Sequence, residues 1–242
     1  MGFSQPLSLS DARTIRRAGL ATLLFAVVHS ILASRRAKRI AGQVVGERRT
    51  EGTYRLAFNV QATVTTGWLL LYLCRLPDRT VYKISGPVAW AMRTAQLISI
   101  LGLTRCLQAV GFANMFGINR YVRYCIDGDP GPLTIEAQGP AITPSGELSI
   151  VGPFEFHRHP MNFWPLLLLW GQPSMTLSSL TFTMITSLYL LLGSYHQDSR
   201  VAETCEDEYR LYRNRVPLFV PRSEVFLSLP PGLRQIPGAQ QT

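Results

Sequence analysis

The stretch that decides the fold is residues 152–193, GPFEFHRHPMNFWPLLLLWGQPSMTLSSLTFTMITSLYLLLG. A polar lead carrying His157, Arg158 and His159 enters an apolar run at 163–170. Gly171-Gln172-Pro173-Ser174 interrupts it, and a second apolar run occupies 177–193. The first run is too short to cross hydrocarbon alone, since a spanning helix needs about 20 residues. The pair therefore predicts a broken helix or a tight helical hairpin. Pro160 suits the first helical turn, where no N–H is needed and φ is already helical.

Further apolar runs lie upstream at 18–34, at 54–73, and from Gly86-Pro87 to about Phe112. Trp68 and Tyr72 sit near one end of the second, where aromatic side chains favour a membrane interface. Arg93 and Arg105 in the third must lie near interfaces or face protein. The fold class expected is all-α: a multi-spanning membrane helical bundle of about five transmembrane segments, the last two a hairpin, with a C-terminal cytoplasmic amphipathic helix. Composition agrees, with 47% hydrophobic and 16% charged residues and a mean hydropathy of +0.12, unusual for a soluble domain.

A formal charge of +9 raises nucleic acid as a partner. The basic residues, however, gather beside apolar runs, as at Arg35, Arg36, Lys38 and Arg39. That placement favours the headgroups of a lipid bilayer, and no nucleic-acid partner is expected. Basic residues at 35–55 and in the two C-terminal regions should share the cytoplasmic side, which five crossings satisfy. Arg13, Arg16 and Arg17 then fall on the other side. The first run resembles a signal peptide in charge order, but Arg35 and Arg36 follow it where small residues would mark cleavage, so it reads as a retained helix. Cys74, Cys106, Cys125 and Cys205 are scattered, without C-x-x-C, and read as reduced thiols. No metal site is expected.

The chain divides into N-terminal helices (1–113), a region of loop, hairpin and C-terminal helix (114–222), and a disordered tail (223–242). Asn114 to Gly152 is Gly/Pro-rich and reads as a long loop with short strands or helices. Beyond Gly193, Val201, Ala202, Cys205, Tyr209 and Tyr212 recur at helical spacing until Val216-Pro217.

Three constellations could carry chemistry. Arg158 could pair with a carboxylate and His159 could hydrogen-bond a ligand held against the helix start, or the cluster could only anchor the helix at an interface. Gln197-Asp198, with Glu203, Glu206, Asp207 and Glu208, could hold a cation or form a solvated helical face. His29-Ser30, inside the first run, could be a packed core residue, a haem ligand or part of a substrate cavity.

Arg158-His159-Pro160, approached through Gly152 and Phe154, resembles the cofactor motif of isoprenylcysteine carboxyl methyltransferases and phospholipid methyltransferases. Tyr209-x-x-Tyr212-x-x-Arg215-Val216-Pro217-x-x-Val220-Pro221 falls where that family has its second motif, so the likeness covers residues 146–221. Trp170-x-x-Pro173-x-Met175-Thr176 is similar to the methanethiol S-methyltransferase branch. His29-Ser30 and Glu47-Arg48-Arg49 before Tyr54 resemble that branch and NnrU-like proteins.

The resemblance implies a cytoplasm-facing site for S-adenosylmethionine. Gly146, Glu147, Leu148, Ser149, Phe154, His159, Pro160, Met161 and Asn162 would contact the cofactor, and Gln197 or Asp198 sits where the family has a carboxylate that binds it, the family's two adjacent glutamates being Gln197-Asp198 here. The methyl acceptor would be a small molecule or lipid-like, bearing a thiol, carboxylate or amine. Transfer would be in line, governed by positioning and exclusion of water. His157, Arg158 and His159 are the candidate catalytic residues, and a thiol acceptor would need one of the two imidazoles to take its proton. The rival readings are an NnrU-like haem protein or isomerase, with His29 and His159 as axial ligands, and a non-catalytic membrane scaffold.

Overall fold

The computed structural model describes residues 6–131, 140–142, 148–203 and 206–219. Ser8 starts α1 (Leu9–Ala33) through a capping box: its hydroxyl accepts from the Asp11 N–H, and Asp11 accepts from the Ser8 N–H. Ser34 both ends α1, donating its hydroxyl to the Ile31 carbonyl at 2.6 Å, and caps α2 (Arg35–Val45), accepting from the Ala37 N–H at 3.1 Å. α3 (Glu47–Cys74) follows, then β1 (Thr80–Lys83) and α4 (Pro87–Val110), whose first position is a proline. Two short helices, α5 (Phe112–Phe116) and α6 (Ile118–Asp127), are separated by Gly117. Its φ is +78°, and a Cβ there would lie 2.8 Å from that of Arg55, so only glycine permits this turn against α3.

β2 (Ala141–Ile142) and β3 (Leu148–Ser149) pair antiparallel. A 3-10 turn, Gly152–Glu155, leads to α7 (Pro160–Trp170). β4 (Ser174–Thr176) pairs antiparallel with β1, and α8 (Leu177–Ala202) begins directly after it. Thr176 and Ser179 form the α8 capping box, and the Ser178 N–H donates to Asp78 at 3.2 Å. α9 (Glu206–Arg215) is the last helix described.

α1, α3, α4, α7 and α8 run alternately between two ends of a bundle. At the first end the Thr14 hydroxyl donates to the Pro77 carbonyl at 2.6 Å, and Arg79 pairs with Asp11 at 3.0 Å. The Leu177 N–H donates to the Arg79 carbonyl at 3.0 Å. At the second end, Arg120 of α6 donates to the Glu51 carbonyl of α3 at 3.2 Å, and Arg158 and His159 reach the last turns of α8. α8 packs chiefly on α1 and α7 chiefly on α4, while α3 packs on α1, α2 and α6. Gly102 lets α7 approach α4: a Cβ at 102 would lie 2.2 Å from the Trp164 ring.

Among the described residues three helices, α1, α3 and α8, are long and apolar enough to cross a membrane. Their apolar faces turn largely outward, as at Leu24, Trp68 and Leu188. The chain is mostly helical, as expected, and three features bear on the expected bundle of about five segments. α4 is a helix of sufficient length but carries Arg93 and Arg105. α7 has only 11 residues, about 16 Å at 1.5 Å per residue. The break after Gly171 is not merely a turn, because β4 within it is satisfied by the backbone of β1, a pairing invisible from the hairpin itself. The stretch from Asn114, read as a long loop with short strands or helices, holds the amphipathic α6 as well as β2 and β3. Residues 220–242, including the tail and Val220-Pro221, lie outside the described residues.

Candidate functional site

Two segments forty residues apart in sequence converge on one carboxylate. Asp198, in the penultimate turn of α8, accepts from the Arg158 guanidinium, the His159 Nε2 and the Tyr209 hydroxyl. All four side chains are buried. His159 Nδ1 lies 3.0 Å from the Gln197 amide oxygen. With its Nε2 proton given to Asp198, the neutral ring accepts at Nδ1 from a flipped Gln197 amide, whereas the imidazolium donates to the amide oxygen. Either way both ring nitrogens are engaged within the chain.

Local structure explains the convergence. The N–H groups of Arg158 and His159 donate to the carbonyls of Pro217 and Leu218 at 3.0 and 3.3 Å, clamping the segment after α9 across the approach to α7. α9 presents two tyrosines to the interior. Tyr209 reaches Asp198, and the Tyr212 hydroxyl donates to the Phe154 carbonyl at 2.7 Å. Burial, and then the adjacent Asp198 carboxylate, push the Tyr209 hydroxyl well above its ordinary pKa; burial also raises Tyr212. Both are therefore donors. Leu148, Ile150, Phe154, Val201, Tyr209, Tyr212 and Val216 form an apolar cluster beside the ion network.

Of the candidates read from sequence, Arg158, His159, Gln197 and Asp198 come together. Phe154 belongs to the adjoining apolar cluster. Pro160, Met161 and Asn162 form the buried first turn of α7, with the Asn162 amide donating to the Ser194 hydroxyl at 2.8 Å. Leu148 is buried, and its N–H donates to the Glu208 carboxylate at 2.8 Å. Ser149 pairs through its backbone with Ala141. Gly146 and Glu147 lie outside the described residues.

His157 points away from Asp198. Its ring stacks on Phe163 at 4.7 Å, and its Nδ1–H donates to the Phe219 carbonyl. Burial lowers its pKa, opposed by the Phe219 hydrogen bond. His29 is elsewhere again, packed among Phe25, Phe58 and Tyr189 with ring centroids 5.0–6.2 Å away. It thus shares no partner with His159, and paired axial ligation by the two is not what this arrangement provides.

Sequence reasoning gave Tyr209 no role in the site. Its place three residues before Tyr212 on an amphipathic helix is the available signal, since a buried tyrosine hydroxyl needs a partner. Asp198 carries a shorter side chain than the family's glutamate, and three donors fix it in place.

No family model matches the chain, and no solved structure matches it. Curated relatives do. A methanethiol S-methyltransferase of Pseudomonas deceptionensis is 26% identical over 220 residues, covering 90% of this chain and 72% of the relative. Two methanethiol S-methyltransferases of Bradyrhizobium diazoefficiens are 23% and 25% identical, covering 82% and 90% of this chain and 64% and 76% of their own lengths. The resemblance carried by the Arg158-His159-Pro160 and Trp170-x-x-Pro173 motifs is thereby borne out: over most of its length, this chain is similar to proteins named methanethiol S-methyltransferase.

Proposed function

We propose that the protein is an integral membrane methyltransferase that uses S-adenosylmethionine and methylates a small thiol, its site opening toward the cytoplasm. The observation that carries this reading is the joining of Arg158-His159 to Asp198 and Tyr209, which makes one buried site from the two motifs of the resembling family. The relatives' names supply the methyl acceptor class.

The residues present fit the cofactor. An aminocarboxylate end carries both charges, and Arg158 beside Asp198 offers the complementary pair. Arg158 Nε is buried without a hydrogen-bond partner, a donor left for a further acceptor. The neighbouring cluster around Phe154, Leu148 and Ile150 offers an apolar wall for a nucleoside. When bound, S-adenosylmethionine supplies a methyl group on a sulfonium, open to in-line attack by a thiolate. His159, engaged at both nitrogens, positions Asp198 and does not move protons. His157 donates through Nδ1, which leaves the Nε2 lone pair to accept the thiol proton. Phe163 and Trp164 flank that ring and limit water.

In this reading α4 also crosses the membrane and α7 fills the part of the crossing beyond the site, giving five passages. The site lies at the end bearing Arg35, Arg36, Lys38, Arg39, Arg48 and Arg49, and the excess of positive charge makes that end cytoplasmic.

The test is calorimetry of S-adenosylmethionine on detergent-purified protein, with headspace detection of dimethyl sulfide after methanethiol is added. Saturable binding and product are expected. Absence of binding by the folded wild-type chain would overturn the reading, and binding without product would reassign the acceptor.

A further inference from the structure

Proton removal by His157 puts the acceptor before that ring, since the thiol sulfur must come within hydrogen-bond reach of the Nε2 lone pair. The side chains around the ring are aromatic. Phe163 stacks on it with centroids 4.7 Å apart, and Trp164 meets it edge-on at 6.0 Å. Phe163 and Trp164 pack edge to face at 5.0 Å, and Phe219 lies 6.5 Å from Phe163. The polar groups nearby are already committed: His159, Tyr209 and the Arg158 guanidinium all meet Asp198, from which His157 points away.

Trp164 is the wall that cannot retreat. Its ring lies on the α4 backbone at Gly102, where a Cβ would come 2.2 Å from Cε2 and 2.3 Å from Cδ2. One turn further along α4, the fully buried Cys106 adjoins the indole. A ring resting on backbone has no side chain behind it to give way, and a close-packed interior transmits any push as strain. Phe163 and Phe219 have no such backing from a glycine.

We propose that Trp164, backed by Gly102, sets the size of the acceptor, so that the site takes a thiol whose substituent is both small and apolar. His157 takes the thiol proton, and the sulfur forms its new bond to the methyl carbon as the carbon–sulfur bond of the sulfonium breaks. A longer chain on that sulfur meets the indole. A hydroxyl or carboxylate on it is taken out of water among aromatic rings without a partner. The proposal rests on the thiol methyltransferase reading above, with His157 as the base.

The test compares methanethiol, propanethiol, benzenethiol and mercaptoethanol as acceptors for the full chain in detergent, each by kcat/KM, with S-adenosylmethionine affinity measured by calorimetry on the same samples. Wild type should favour methanethiol over propanethiol by about tenfold or more, the discrimination that misfitting methylenes bring in a tight pocket. Trp164→Leu should erase that preference, chiefly through KM, and admit benzenethiol. Trp164→Phe keeps an aromatic side chain, disturbs the packing less and should widen the preference in the same direction. Mercaptoethanol should stay poor throughout, and cofactor affinity should not change. An unaltered preference in both variants overturns the proposal, as does wild-type use of mercaptoethanol equal to that of propanethiol. Loss of cofactor affinity in both variants overturns it too, because Trp164 would then act through the fold rather than on the acceptor. A wild-type chain that binds the cofactor and methylates none of the four thiols would instead sink the thiol reading itself.

Discussion

Asp198→Asn is the perturbation that interrogates the site most directly. The carboxylate accepts from Arg158, His159 and Tyr209, and is only 6% exposed. Asparagine keeps the shape but removes the charge and turns an NH2 group toward donors. Hydrogen bonds to a charged group contribute about 1.5–3 kcal/mol each and are not additive within one network. Removing one partner of a buried ion pair costs about 3–5 kcal/mol, because the remaining guanidinium is left uncompensated. At about 2–4 °C per kcal/mol for a chain of this size, the melting temperature should fall by roughly 6–20 °C, followed by tryptophan fluorescence in detergent. Replacing both partners, Arg158→Met with Asp198→Leu, should recover most of that stability while S-adenosylmethionine binding stays lost. An Asp198→Asn protein that melts within about 2 °C of wild type and still binds the cofactor would refute the network as the centre of the site.

Three further outcomes follow from particular contacts. Tyr212→Phe strands the buried Phe154 carbonyl and should cost about 1–3 kcal/mol in chemical denaturation, whereas an effect under about 0.5 kcal/mol would mean that water replaces the hydroxyl. Gly102→Ala drives a methyl into Trp164 and should destabilise by about 1–3 kcal/mol, with rescue by Trp164→Leu; no rescue would place the damage elsewhere. His157 is neutral in the fold because burial depresses its pKa below the ordinary 6.5. The unfolded chain therefore takes up the proton first. Stability is full above about pH 6.5 and declines as pH falls toward the depressed value, by up to about 1.4 kcal/mol per unit. His157→Gln should flatten that slope, and an unchanged pH profile would contradict it.

How far the sequence disclosed this arrangement depends on whether a signal was local. Arg158-His159-Pro160 was legible because proline marks a helix start, and α7 does begin at Pro160. The approach of Gln197-Asp198 to that start was legible only through the resemblance, since nothing in either segment alone names its partner. The three long apolar helices followed from hydropathy. α6 did not, because its ten residues are polar on one side and lie between glycines that look like loop. β1 and β4 were missed because three or four residues satisfy each other's backbone across a long sequence separation, leaving no periodicity to read. The Tyr209 contact was hidden for a related reason: spacing shows that a tyrosine faces inward, not which carboxylate its hydroxyl meets.

The position next to Asp198 carries the last consequence. Where the resembling family has two adjacent glutamates, this chain has Gln197-Asp198, so the one carboxylate of the pair is matched by the Arg158 guanidinium. A sulfonium is cationic, whereas the demethylated product is a neutral thioether, and a second carboxylate would distinguish them. At a separation of about 7 Å and an effective dielectric near 20, that charge contributes about 2 kcal/mol, reduced by the desolvation of a half-buried glutamate. Gln197→Glu should therefore tighten S-adenosylmethionine about tenfold relative to S-adenosylhomocysteine, measured by paired calorimetric titrations. The same carboxylate would sit against His159 Nδ1, now 3.0 Å from the amide oxygen. An unchanged affinity ratio would mean that residue 197 does not act on the bound sulfonium.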